Sequence, residues 1–372
     1  MNQYILTPIE HKDVIIPASI SSKVLTVGLE HKHHRGGIGG VIDTYSKYFQ
    51  VFNFVSTYKP QKFKVAIIPY FILSCTKLIL KLIYNNNIKI IHIHGAARGS
   101  IYRKFIVFLI SKYLFHCKVI YHSHGSEFEV FYKESNFYTR KLIKFFMENV
   151  SLIICLSNQW DSFFRKEFKA KKIVILENIV EKAPIVSALK SLKPLKLLFL
   201  GAIGKRKGIF DLLDVLNSNK EDLHGKLKLI VGGNGEVEKL HSYVKENGLE
   251  DLVQFEGWVT GDRKKQLLNE SHVYILPSYN EGLPLSILEA MSHSLAIIST
   301  SVGGTPEVVK DGLNGYLIQP GDKQGILKAI HKFIEFPNLI NTMGSASITL
   351  VEPYYSTSVI PKLNTIYKSL IN

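Results

Sequence analysis

Cysteine is scarce in this 372-residue chain: Cys75, Cys117 and Cys155 lie far apart in sequence. An odd, scattered trio excludes a disulfide-stapled scaffold and a cysteine zinc site, and fits buried, reduced thiols. Acidic residues are scarce in one half only. Lys and Arg outnumber Asp and Glu by 46 to 31, and a division after Lys190 leaves 27 basic and 12 acidic residues before it, 19 of each after it. The whole excess therefore sits in the first half and calls for an acidic partner: nucleic acid, anionic lipid or a phosphorylated small molecule. Apolar stretches such as Phe105 to Ile110 fall far short of the roughly 20 residues that span a bilayer, so a soluble or peripheral protein is expected. The opening MNQYILTPIEHKD has no basic start, apolar run or small-residue cleavage site, which points to a cytoplasmic address. No low-complexity tract or solenoid period occurs, and residues 1–22 show no interpretable pattern.

What is present is an alternation. Apolar runs of four to seven residues (Val24 to Leu29, Val65 to Ile68, Ile88 to Ile93, Lys118 to His122, Leu152 to Leu156, Ile173 to Leu176) alternate with helix-length segments. Buried strands spaced in this way argue βαβ units and a parallel sheet covered on both faces. The second half repeats the scheme with Leu195 to Leu200, Leu227 to Val231, Val253 to Phe255, Val273 to Leu276 and Ala296 to Thr300. Two doubly wound α/β domains follow. The polar segment from Glu181 to Pro194, with two prolines, is the expected linker. The domains are placed at 1–190 and 191–350, with 351–372 as a final helix crossing back to the first domain. Ligands bind outside the carboxyl ends of such strands, so the two sheets are expected to face each other across a cleft.

The richest segment is VYILPSYNEGLPLSILEAMSHSLAIISTSVGG, Val273 to Gly304. A strand ends at Leu276, a loop presents Glu281, and Pro284 suits the first turn of a helix. The free N–H groups near Leu285 and Ser286 would make an anion site suited to a diphosphate. Glu289 follows Glu281 by eight residues, about 80° apart were both helical, so one ligand can meet both. Spacing alone also permits plainer roles: a charge complementing the helix dipole for Glu281, a solvated side chain for Glu289.

Glu281-Gly-Leu-Pro-Leu-Ser-Ile-Leu-Glu289 resembles the E-x7-E signature of the family 4 glycosyltransferases, retaining enzymes of the GT-B fold that use nucleotide-sugar donors. The likeness runs on through VGGTPEVVKDGLNGYLIQPGD and back through FEGWV and IVGGNGE, covering most of residues 195–325, and the first half more loosely. The resemblance implies that Glu281 contacts the donor sugar and Glu289 the ribose. A carboxylate accepting from hydroxyls makes strong, directional hydrogen bonds. LFLGAIGKRKGIFDLL resembles the family's strand, glycine turn and basic pair, which assigns Arg206 and Lys207 to the donor diphosphate and Gly204 and Gly233 to its loops. Ala202 departs from the pattern, standing where many relatives carry a residue such as arginine.

In the first half, HKHHRGGIGGVIDTYSKYF follows a strand, and Gly36, Gly37, Gly39 and Gly40 permit close backbone approach and positive φ before a helix opening near Val41. The spacing is not a dinucleotide GxGxxG. Beside the second-half signature it is similar to the family's N-terminal donor and acceptor loop. Two strands end in histidine pairs, His92 with His94 and His122 with His124. Four histidines could suggest a metal hydrolase, but no carboxylate ligand stands at matching spacing. His124-Gly125 resembles the family's active-site histidine that hydrogen-bonds the donor sugar. Glu127 and Glu129 read as acceptor groups or helix-start charges, and His31, His33 and His34 as solvated loop residues.

Lys77 and Lys81, one turn apart in an apolar segment, and Arg140, Lys141 and Lys144 beside Phe137, Phe145 and Phe146 fit an anionic membrane surface better than a nucleic acid. The resulting expectation is a retaining GT-B hexosyltransferase moving sugar from a nucleotide-sugar to a glycan or lipid-linked acceptor in cell-surface polysaccharide (for example lipopolysaccharide) biosynthesis. It would be cytoplasmic, peripheral on the inner face of the membrane, and free of cofactor and metal, since no D-x-D motif occurs. A nucleotide-sugar epimerase or phosphorylase on the same fold, or a non-catalytic membrane or nucleic-acid binding protein, are the alternatives.

Overall fold

The computed structural model of the chain describes residues 14–32, 37–60, 63–184 and 193–371. It divides into two compact units. Met1–Cys155, Phe164–Ile179 and Ser356–Asn372 form the first; Leu156–Phe163 and Val180–Tyr355 form the second.

The first unit holds strands β1 (Val24–Gly28), β2 (Asn53–Ser56), β3 (Ile90–Gly95), β4 (Lys118–Ser123), β5 (Leu152–Cys155) and β6 (Ile173–Ile175). They form one parallel sheet in the order β2-β1-β3-β4-β5-β6. Its helices are α1 (Ala18–Ser21), α2 (Gly37–Ser46), α3 (Ile67–Tyr84), α4 (Gly99–Leu109), α5 (Phe128–Glu134) and α6 (Phe137–Asn149), and α7 (Asn158–Glu167) divides between the two units. All residues of β1 and β3 are buried, the polar Thr26, His92 and His94 included, as in strands covered on both faces.

The second unit repeats the plan with β7 (Leu195–Leu200), β8 (Leu227–Gly232), β9 (Val253–Phe255), β10 (Val273–Leu276), β11 (Ala296–Thr300) and β12 (Gly315–Ile318). The parallel order is β12-β11-β10-β7-β8-β9. Around it lie α8 (Ile209–Ser218), α9 (Lys220–Leu223), α10 (Val237–Glu246), α11 (Gly261–Glu270), α12 (Leu285–Ser292), α13 (Thr305–Val308), α14 (Lys323–Glu335) and α15 (Asn338–Val351). The last helix, α16 (Ser356–Ile371), returns to the first unit, where Tyr367 is fully buried and Lys362 pairs with Glu177 at 2.8 Å.

Strand order locates the sites. In each sheet the chain winds outward one way, returns, and winds the other way, so the order reverses between β1 and β3 and between β7 and β10. Loops leaving these neighbouring strands diverge to opposite faces and open a crevice at the carboxyl edge.

Three sequence expectations fail. Val65 to Ile68 is not a strand but the entrance to α3, and two short edge strands, β2 and β12, stand outside the runs picked out as strands. Apolar character without alternation does not separate a strand from the start of a helix. Residues Ile67–Tyr84 do form one helix long and apolar enough, by length and composition, to cross a membrane; two lysines in its second half hide this from a search for unbroken runs. His31 is buried rather than solvated, its ring set edge-on to Phe52 and Phe54.

Candidate active site

At the reversal of the second sheet, two loops meet. After β7 comes Gly201 to Gly208, whose one-turn helix carries Lys205, Arg206 and Lys207. After β10 comes Pro277 to Pro284, leading into α12. Lys207 Nζ donates to Glu281 Oε1 at 2.5 Å, and Ser278 Oγ donates to the same oxygen at 2.6 Å. Glu281 is 6% exposed. A carboxylate buried to that degree persists only when paired and hydrogen-bonded, and both conditions hold here. Two further hydrogen bonds fix the loops: Tyr279 N–H donates to the Arg206 carbonyl at 2.8 Å, and the Arg206 side chain donates through Nη1 to the Asn280 carbonyl at 3.2 Å.

Glycine is needed at two positions here. Gly303 has φ +55°, and a Cβ on it would lie 2.0 Å from the Glu281 carbonyl oxygen; a Cβ on Gly233 would lie 1.8 Å from that of Gly201. These residues let the strand-end loops close on one another. Gly204, extended at φ 165°, precedes the basic turn.

α12 begins at Leu285, with Pro284 capping it rather than occupying its first turn. The N–H groups of Leu285 and Ser286 have no carbonyl one turn back within the helix, which leaves them for an anion. Glu289, on the same helix, is half-buried and pairs with Lys264 of α11 at 2.6 Å. Tyr274 of β10 fixes the helix start by donating to the Leu200 carbonyl at 2.9 Å and bonding Ser286.

In the first unit the parallel register sets His94 opposite His122, with His92 two residues earlier and His124 two later. Alternation along a strand then puts all four rings on one face. They form a buried stack: His92 Nε2 lies 3.1 Å from His122 Nδ1 and His94 Nδ1 2.9 Å from His124 Nε2, while His92 Nδ1 meets the Tyr367 hydroxyl at 2.6 Å. Burial pulls His92 and His124 down to about 3, and holds His94 and His122 well below the usual histidine range. Neutral imidazoles can both donate and accept, which allows these two pairings and leaves His122 Nε2 without a partner among the described residues. One nitrogen each from His92, His94 and His122 lie within 4.8 Å of one another, a set able to hold a metal ion, without a carboxylate among them. His124 Nδ1 is buried with no hydrogen-bond partner among the described residues, at the carboxyl end of β4.

The glycine segment differs from its expected form. α2 opens at Gly37, four residues early, so Gly37, Gly39 and Gly40 lie in the helix, none with positive φ. Gly36, His33 and His34 lie outside the described residues. The glycines thus leave Ile38 as the one side chain in the first turn of α2, and no Cβ contact crowds Gly37. Glu127 stands at the N-cap position of α5 without a side-chain capping bond and lies 3.7 Å from Arg98, and Glu129 pairs with Lys133.

Residues 182–349 match the model of the family described as "Glycosyl transferases group 1". This segment belongs to the group 1 glycosyl transferases. An uncharacterized glycosyltransferase of Methanocaldococcus jannaschii is 28% identical over 281 residues, 71% of this chain and 72% of that one. A lipopolysaccharide 1,6-galactosyltransferase of Escherichia coli is 33% identical over 133 residues, 35% of this chain and 36% of its own. Anabaena HepE, solved in complex with UDP, superposes with a TM-score of 0.72 over 93% of this chain and 100% of HepE at 18% identity. The two parallel sheets are those of the GT-B fold.

Sequence reasoning missed Ser278, Lys264 and Tyr274, which hold Glu281, Glu289 and the start of α12. Ser278 stands three residues before Glu281 in the same loop, a readable spacing. Lys264 and Tyr274 reach their partners only through the sheet.

Proposed function

We propose that this glycosyltransferase moves a hexose from a nucleotide diphosphate sugar to a glycan or lipid-linked saccharide, with retention at the anomeric carbon, in the synthesis of a cell-surface polysaccharide on the cytoplasmic face of the membrane. The observation that carries the reading is the buried Lys207 and Glu281 pair beside the open first turn of α12, at the reversal of strand order in the second sheet. Lys207, Arg206 and the N–H groups of Leu285 and Ser286 take the diphosphate, and Gly204 and Gly233 let its backbone surroundings approach. Glu281 accepts from donor sugar hydroxyls through its second oxygen, and Glu289 from the ribose. His124 offers Nδ1 to the sugar, and the first turn of α2, bare at Gly37 and Gly39, faces donor or acceptor.

The bond from the anomeric carbon to the diphosphate breaks with its electron pair leaving on phosphate oxygen. An acceptor hydroxyl attacks the same face of the sugar, and its proton passes to the departing phosphate. The leaving charge falls on groups already cationic or N–H donating, so the reading needs no metal or other cofactor. The HepE complex and the galactosyltransferase name support the donor and polysaccharide classes.

The test is a panel of UDP-, GDP- and ADP-sugars titrated into purified protein, followed by NMR of the anomeric configuration formed on a saccharide acceptor. Binding of one donor, lost in Glu281→Ala, and a retained anomer are expected. A wild type that binds no nucleotide-sugar overturns the reading, and turnover of donor alone would favour an epimerase or phosphorylase.

A further inference from the structure

The first unit carries a surface that the transfer chemistry does not use. From residue 44 to residue 126 the chain contains 12 Lys and Arg and no Asp or Glu. α3 lies within this stretch. It packs inward through Ser74, Leu78 and Leu82, one stripe at four-residue spacing, and turns Ile68, Ile72, Leu73, Leu80 and Ile83 outward, each 44 to 63% exposed. At about 100° per residue the inward stripe and the outward residues occupy opposite sides, and Lys77 and Lys81 stand on the border between them. Thr76, the polar residue amid the outward side, donates its hydroxyl to the Ile72 carbonyl at 3.2 Å and so has no need of water. Pro69 falls in the first turn, where no helical hydrogen bond is lost.

A soluble protein seldom exposes so continuous an apolar face. Spanning a bilayer is excluded by connectivity: α3 joins β2 to β3, and both belong to one sheet. Right-handed crossovers also put α3, α4 and α6 on the same face of that sheet, and α4 and α6 add exposed Tyr102, Ile106, Phe137 and Tyr138. Beside α3 lies an open groove of about 400 Å³ against β2, lined by Glu30, Phe54, Ser56, Tyr70, Lys77 and Lys81. The Glu30 carboxylate already accepts from the N–H groups of His31 and Lys32.

We propose that α3 lies in the plane of an anionic bilayer, its outward residues among the acyl chains and Lys77 and Lys81 on lipid phosphate at the groove. Charge complementarity selects this occupant: two copies of a stretch with 12 cations and no anion would repel one another, whereas an anionic leaflet attracts them. The proposal rests on the membrane setting proposed above and assigns it to one helix.

The test is flotation of the full chain with vesicles of phosphatidylcholine alone, or of equal parts phosphatidylcholine and phosphatidylglycerol, beside nucleotide-sugar binding and sedimentation without lipid. The expected result is flotation with the anionic vesicles, abolished in I68Q/I72Q/L73Q and weakened about fivefold for each lysine in K77Q and K81Q, while thermal melting and nucleotide-sugar binding stay at wild-type level. Equal flotation of wild type and triple variant overturns it, as does indifference to phosphatidylglycerol. A wild-type dimer that the triple variant converts to monomer also overturns it, making the face a contact between copies. Flotation without nucleotide-sugar binding sinks the transferase reading alone, and binding without flotation sinks the membrane face alone.

Discussion

The two units share a plan and differ in what they leave uncovered. Of the 22 large hydrophobic side chains exposed among the described residues, 18 lie in the first unit, and only Trp258, Tyr279, Leu313 and Phe336 in the second. Charge divides the same way, balanced after Lys190 and strongly basic before it. Their buried polar groups differ too. The second unit places an ion pair at the edge of its sheet; the first stacks four neutral histidines and buries Lys104, which desolvation holds well below the usual lysine range and which donates to Thr57. On the readings proposed above, one sheet would serve as a site for a charged small molecule, while the other combines a desolvated polar seam with a surface for a partner. A parallel α/β sheet fixes neither role; loops and outward helix faces do.

The comparison breaks most directly at Lys207. Lys207→Ala should lower transfer by about 10²- to 10³-fold, the effect of losing one donor to developing charge, and should also lower thermal stability by leaving Glu281 buried without its cation. A turnover assay with a melting curve checks both, and unaltered turnover would separate the ion pair from the chemistry. His124→Ala in the first unit should cost less, about 10²-fold in turnover, with nucleotide binding retained because the diphosphate groups lie in the second unit.

Acid should act on the first unit before the second. With folded values of about 3 for His92 and His124 and an ordinary unfolded value near 6.5, the unfolded chain binds more protons between those limits. Stability is therefore full above about pH 6.5 and falls as pH drops toward 3, by up to about 1.4 kcal/mol per pH unit for each histidine. Denaturant titrations at pH 7.5 and pH 5 should show this loss, and His92→Gln with His122→Gln should flatten the slope. An unchanged slope would mean that the stack is not the source.

Glycine replacements give the smallest effects and sharpen the local argument. Gly303→Ala should cost a few kcal/mol, since φ +55° strains the new residue and its Cβ would meet the Glu281 carbonyl; Gly312→Ala, at φ +75° with open space around it, should cost about 1 kcal/mol. Equal melting temperatures for the two variants would remove the claim that loop closure at Glu281 requires Gly303.

Much of this was legible in the chain. β7, β9, β10 and β11 begin and end where their runs do, and β10, buried on both faces, carries a continuous apolar and aromatic run. The loop with Glu281 and the helix after Pro284 follow from proline and turn chemistry. Less was legible where a residue's role depends on what lies across the sheet. The glycines from Gly37 were expected as a loop, yet tertiary contacts of Val41, Ile42 and Tyr45 carry the helix back to Gly37 against their low propensity. His92, His94 and His122 could be read as packing or as ligands until the register of β3 on β4 aligned them.

Sequence alone determined the two wound sheets, the excess of cations in the first half and the paired glutamates of the second, because these depend on periodicity, composition and local spacing. Tertiary structure decided that Lys207 neutralises Glu281, that four histidines form one stack, and that no other described residue covers the apolar side of α3. Those facts belong to strand order and register, which bring together residues 30 to 75 positions apart and, among the described residues, leave one helix face exposed.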